Sequence, residues 1–167
     1  MVPKDLIDYF TTTAAVAGTL IGLLFVSISL RYEAILGSSA AFRNRALAAS
    51  AFTGLVNALT VSLWALLPGE NLGYAAAISA TVCLVHTLKL HAPKIGRGDS
   101  SLVLFLLGLA VYLAQVVDGI LLIARPHSQA MVYVLTYTLF GALAASLSRA
   151  WALLQPSVGV SPQASSS

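Results

Sequence analysis

Apolar runs of membrane-spanning length dominate this chain and leave few folds open to it. They cover residues 10–30, 46–67, 72–90, 101–124 and 129–154, each near the roughly 20 residues that a helix needs to cross the hydrocarbon core. The runs are built of Leu, Ala, Val and Gly with no period-two alternation, so helices are expected rather than barrel strands. Of the 167 residues, 58% are hydrophobic and 9% charged, against about 25% charged in soluble domains. A soluble fold of this size has too little interior to hide that excess, and the surplus must face lipid. The expected fold is all-α: a polytopic membrane bundle of five transmembrane helices, forming one domain over residues 1–154. The tail, residues 155–167, is small, polar and Pro-bearing, and is expected to be cytoplasmic and disordered.

Turn residues mark the breaks between runs. Pro68-Gly69-Glu70-Asn71 closes the second span, Pro93, Gly96 and Gly98 open the third loop, and Pro126 stops the fourth span, since proline cannot continue a helix. Ser38 or Ser39 can cap a second helix that begins ahead of the membrane and carries Arg43 and Arg45 on its first turns. Residues 1–9 hold one Lys and two Asp, unlike a basic signal region, so the first run is expected to be a retained span. Arg31, Arg43, Arg45, Lys89, Lys94, Arg97 and Arg149 fall on one side, Lys4 and Arg125 on the other. The positive-inside rule then places the N-terminus outside and the C-terminus in the cytoplasm of a cell membrane. Arg43, Arg45, Lys94 and Arg97 are candidates for anionic lipid headgroups.

Leu against Leu gives helices in lipid no net reason to associate; small residues and interhelical hydrogen bonds supply it. Gly18 and Gly22 form a GxxxG in the first span, on a stripe with Thr11, Ala15 and Ser29. Close packing within the chain is the first expectation for them; a self-association face or a pore lining is the alternative. Gly54 and Gly141 are further candidates for helix packing. On the second span Asn57 lies near the middle, on one side with Ser50, Thr53, Thr60 and Trp64. An interhelical hydrogen bond at Asn57 contributes about 0.6–2 kcal/mol. Trp64 and Trp151 fit interfacial anchors. Ser79, Cys83, His86 and Lys89 share a face of the third span, and His86 fits the headgroup zone better than a metal site or proton relay. Arg149, near the inner end of the fifth span, is expected to snorkel.

The fourth span carries the residue that stands out. Gly108, Tyr112, Gln115, Asp118, Leu122 and Arg125 line one stripe, and Asp118 lies roughly 8 Å from the middle of 101–124, inside the hydrocarbon. An acid at a span centre costs about 2.5–3.5 kcal/mol, and such a residue is read first as functional. Arg125, Asn57, Thr60, Tyr133 and Thr136 are its candidate partners. The expected seam is Asp118, Gln115, Asn57, Thr60 and Tyr112, with Thr19 and Thr136 as weaker members.

Enzyme chemistry finds little purchase. Asp118-Gly119 followed by Ala124-Arg125 approaches the acidic motif of membrane alcohol phosphotransferases, but four residues intervene where that motif has two. No Asp or Glu follows Asp118, so a two-metal carboxylate site cannot form. No nucleophile-His-acid layout or phosphate-cradling glycine loop is present. Cys83 is the only cysteine, which excludes an internal disulfide and a cysteine zinc cluster. No catalytic residue, metal or cofactor is expected. A formal net charge of +3 spread along the chain makes no nucleic-acid footprint. The expected partners are the lipid bilayer and a second copy; the sequence specifies no protein partner.

The runs GTLIGLLFVSISLR at 18–31 and RALAASAFTGLVNALTVSL at 45–63 resemble a group of small bacterial integral membrane proteins without an established activity. The resemblance implies a bacterial inner-membrane protein and carries no site residues. Two functions of different class remain. One is a small oligomeric ion or proton pathway centred on Asp118; the other is a non-transporting binding or regulatory protein that docks a larger complex.

Overall fold

The computed structural model describes residues 4–37, 42–91, 99–126 and 128–154. The elements are α1 (Lys4–Leu30), α2 (Tyr32–Ile35), α3 (Phe42–Ala65), α4 (Leu72–His91), α5 (Asp99–Ala124) and α6 (Gln129–Leu154). The described residues contain no strand. Five helices, all but α2, are long and apolar enough to cross a membrane. A helix satisfies its own backbone N–H and C=O groups, which is what hydrocarbon demands.

Element boundaries shift from expectation in a few places. α1 starts at Lys4 rather than near residue 10, and its 27 residues extend about 40 Å. That length exceeds the roughly 30 Å hydrocarbon core, so the turn bearing Lys4, Asp5 and Asp8 reaches the headgroup layer. α3 ends at Ala65, not 67: the amides of Leu66 and Leu67 donate to carbonyls three residues back, Leu63 at 3.2 Å and Trp64 at 3.0 Å. Pro68 then bars a further turn, and Gly69 takes φ 81°, a left-handed conformation that glycine adopts without steric cost. The Asn71 carboxamide accepts from the Gly73 amide at 2.9 Å and so caps α4. The single turn α2 was not legible in the pattern. The amides of Leu36 and Gly37 close it onto the Tyr32 carbonyl at 2.7 and 2.9 Å, and Arg45 donates to the Gly37 carbonyl at 2.8 Å. Ser38, Ser39, Pro93, Gly96, Gly98 and the tail lie outside the described residues.

α3 is the hub. It packs against α1, α4 and α6, while α5 bridges α4 and α6. Of its most apolar window 56% is buried, against 22% for α1. An apolar cluster fills the end that carries Lys4, around Phe10, Val61, Leu122, Leu135 and Leu139. A second fills the opposite end, around Leu24, Ile35, Ala51, Leu55 and Leu153. Trp64 and Trp151, near opposite ends, are exposed. Two side-chain bonds tie the start of α1 to α6: Tyr9 donates to the Thr136 carbonyl at 2.9 Å, and Tyr133 to the Asp5 carboxylate at 2.5 Å.

Small residues set the closest helix approaches, though not where the GxxxG suggested. α1 turns Phe10, Thr13, Ala14, Ala17 and Leu24 into the bundle. This leaves Thr11, Ala15, Gly18, Gly22 and Ser29 exposed, with no heavy atom within 4 Å of a Cβ placed at Gly18 or Gly22. The expectation of close packing within the chain at Gly18 and Gly22 is therefore corrected. The tight crossing is that of α4 and α5. A Cβ on Gly119 would sit 2.6 Å from the Ala77 nitrogen, and one on Gly73 would sit 2.7 Å from the Gly119 carbonyl oxygen. Gly141 makes no such approach, since its nearest atom would be Val111 Cγ2 at 3.9 Å.

Gly54 is a packing glycine between α3 and α6. A Cβ there would collide with the Ser146 hydroxyl, which is bonded to the Ala142 carbonyl at 2.7 Å. Gly54→Ala is expected to destabilise the bundle by about 1–3 kcal/mol, the usual range for overpacking. Adding Ser146→Ala should return most of that. Detergent-denaturation midpoints of the two variants check both steps.

Candidate functional site

α5 turns its polar stripe inward. Gly108, Tyr112, Gln115, Asp118 and Leu122 are all buried, while Arg125 at the helix end is exposed. Counted along α5, Asp99–Ala124, Asp118 sits about 10 Å from the middle of the helix, toward the end that carries Lys4, with Gln115 about 5 Å from the middle on the same side.

Inside the bundle two amides clasp each other. Asn57 Nδ2 donates to Gln115 Oε1 at 2.9 Å, and Gln115 Nε2 returns a bond to Asn57 Oδ1 at 3.2 Å. Ser79 of α4 adds a third, donating to Asn57 Oδ1 at 2.6 Å. Asn57 is 1% exposed and Gln115 0%. Each carboxamide also keeps a second N–H. Because the two amides exchange a pair of bonds and Ser79 joins them, their first role is to lock α3, α4 and α5 together.

Asp118 stands apart from that clasp. It is 3% exposed, and neither carboxyl oxygen has a hydrogen-bond partner among the described residues. The Ser62 hydroxyl is the other buried side-chain group left in this condition. Buried polar groups are as a rule bonded, and an uncompensated charge in an apolar setting is far costlier than an uncompensated hydroxyl. Asp118 is the group in this core with open capacity for a proton or a cation.

On the other side of the clasp lies a buried cation. Arg149 was expected to snorkel; instead it is 4% exposed and lies beside the Tyr112 side chain in the space that Gly108 leaves, its Nη2 only 2.5 Å from where a Cβ would stand. Gly108 is the sequence signal for this placement, since a larger residue would fill the space of the guanidinium.

The remaining seam members are scattered. Thr60 is exposed on the lipid side of α3. Thr19 is exposed on α1 and bonds the Ala15 carbonyl at 2.8 Å. Neither reaches the seam, because each lies on a face that its helix turns outward. Thr136 is buried but donates to the Val132 carbonyl of its own helix at 2.7 Å. Ser79 and Arg149 were not anticipated as seam members. His86 is half-buried, its Nδ1 3.0 Å from the Thr53 hydroxyl, an arrangement that its place near the end of the span did not announce. Arg45 is exposed. Arg43 belongs to α3, its side chain outside the description, and Lys94 and Arg97 lie outside the described residues. Among the described residues no group of three or more His, Cys, Asp or Glu side chains is placed to hold a metal.

No protein-family model, no curated protein and no solved structure matches the chain.

Proposed function

We propose that this multi-pass membrane protein carries a proton or a small cation at Asp118. The observation that supports the reading is a buried carboxyl group in a membrane-spanning helix, without a hydrogen-bond partner among the described residues. Intramembrane acids mark ion and proton pathways. Gln115, Asn57 and Ser79 on one side and Ser62 in the same core supply polar groups for passage. The clasped amides must part or exchange partners for a species to move beyond Asp118. Five helices enclose little space, so a homo-oligomer is part of the proposal, as is a bacterial inner membrane with the N-terminus outside.

The test is flux into liposomes containing the purified protein, scanned over pH and compared with Asp118→Asn. The expected result is flux above empty liposomes that falls to the leak level in the variant, because a carboxamide neither exchanges the proton nor carries the charge. Leak-level traces for the unsubstituted protein would remove this reading.

A second reading rests on a different observation, the outward stripe of Thr11, Ala15, Gly18, Gly22 and Ser29 with open space at both glycines. Small residues permit close helix approach, so the chain would dock a larger membrane complex or a second copy through α1. The basic residues Arg43, Arg45, Lys94 and Arg97 would add contacts to anionic headgroups. This reading predicts no flux and a co-purifying partner retained by Asp118→Asn but lost on Gly18→Leu.

A further inference from the structure

Asp118 stands on α5 between two kinds of neighbour. One turn toward the Lys4 end is Leu122, a member of the apolar cluster with Phe10, Val61, Leu135 and Leu139. One turn the other way is Gln115, held in the clasp with Asn57 and Ser79. The next residue is Gly119, where an added Cβ would stand 2.6 Å from the Ala77 nitrogen of α4. Widening the bundle beside Asp118 would therefore break a contact made by backbone atoms.

The oxygens open to a metal cation can be counted. Calcium and magnesium ions take about six or more ligands, oxygens and waters, and a potassium filter replaces the ion's hydration shell with rings of carbonyls. Asp118 supplies two oxygens, and neither has a hydrogen-bond partner among the described residues, so no described hydroxyl or amide is bonded to the group. Asn57 Oδ1 accepts from both Ser79 and Gln115, which occupies both of its lone pairs. Gln115 Oε1 accepts from Asn57 and keeps one. Helix carbonyls point along the axis at their own amides. Among the described residues no second acid, histidine or cysteine joins Asp118 in a metal-binding group of three or more. A metal cation would thus exchange its hydration shell for little more than one carboxylate, in a place that cannot widen to admit its waters. A proton asks for one lone pair of Asp118 and no added space.

From this count we infer that the species exchanged at Asp118 is a proton and not a metal cation. The inference rests on the reading of Asp118 as the carrying group and names what it carries. The step is a bare protonation: a lone pair of one carboxylate oxygen takes the proton, the carboxylate becomes the carboxylic acid, and release reverses this with no other bond made or broken. The acid form gains an O–H donor, and the free lone pair of Gln115 Oε1, one turn along the same helix, is an acceptor of the kind that donor needs.

The experiment places the purified full chain in liposomes with a trapped pH dye and imposes a pH gradient in N-methyl-D-glucamine thiocyanate, a medium free of metal ions whose permeant anion balances the charge. Proton flux above empty liposomes is expected there, unchanged when sodium or potassium is added. Uptake of radioactive sodium and of rubidium, the tracer for potassium, is expected to stay at the level of empty liposomes. Asp118→Asn should bring the proton flux down to leak, and Asp118→Glu, which keeps a carboxyl group, should retain it. Tracer uptake above empty liposomes that Asp118→Asn abolishes, or proton flux that appears only with sodium or potassium present, would overturn the inference and leave Asp118 as a carrier of metal ions. Absence of every flux, or flux that Asp118→Asn leaves intact, would instead remove the reading of Asp118 itself and the inference with it. The comparison of ions on the unsubstituted protein decides between proton and metal even where a variant fails to fold.

Discussion

Gly119→Val is expected to prevent stable assembly of the bundle, and Gly119→Ala to weaken it by about 1–3 kcal/mol or somewhat more. The reason is what surrounds the position. An added Cβ would meet the Ala77 nitrogen at 2.6 Å and its Cα at 2.9 Å, and the neighbouring Gly73 would meet the Gly119 oxygen and the Ile123 nitrogen, both at 2.7 Å. These are backbone atoms of two helices, so no rotamer change relieves the contact. The axes of α4 and α5 must separate, and the buried amide clasp must loosen with them. Gly18→Val is the matched control: a Cβ at Gly18 meets nothing within 4 Å, so the fold of the single chain should be unaffected. Denaturation in mixed micelles, together with disulfide trapping between cysteines placed on α4 and α5, reads both variants. Equal loss at Gly119 and Gly18 would mean that the α4/α5 crossing is not the tight one.

The second large effect concerns Asn57 and Gln115. Replacing Gln115 by Leu removes both bonds that it exchanges with Asn57 and leaves a buried carboxamide short of partners, at a cost of about 1–3 kcal/mol. Asn57→Leu should cost as much or more, since it also strands Ser79. The double variant should be less destabilised than the sum of the two, because no orphaned carboxamide remains. The coupling expected from a thermodynamic cycle is about 0.6–2 kcal/mol, the range for polar pairs between membrane helices. Strict additivity would show that the amides do not depend on each other.

The spans were legible because hydrocarbon imposes one strong rule, and apolar runs bounded by Pro68 and Pro126 obey it visibly. The inward stripe of α5 was legible too, since Gly108, Tyr112, Gln115, Asp118 and Leu122 recur at helical spacing and only that face is polar. Which helix would answer each polar residue was not legible. Ser79 reaches Asn57 because α4 packs on α3, a fact of pairing rather than of periodicity. Arg149 turns inward because Gly108 on another helix makes room, and the pattern of α6 alone holds no trace of that. The GxxxG of α1 misled for a related reason. The motif marks a face suited to close approach, while the burial of Phe10, Ala14 and Ala17 decided which face α1 offered to α3.

The outward hydroxyls of α1 carry a consequence for biogenesis. Thr11, Thr19, Ser27 and Ser29 each bond the carbonyl four residues back, at 2.8–2.9 Å, so they ask nothing of a neighbour. The principal neighbour of α1 is α3, which the ribosome makes later. The first helix can therefore leave the translocon and wait in the bilayer as a self-sufficient segment, whereas α5 buries Gln115 and Asp118 and should be held back until α3 and α4 are there to receive it.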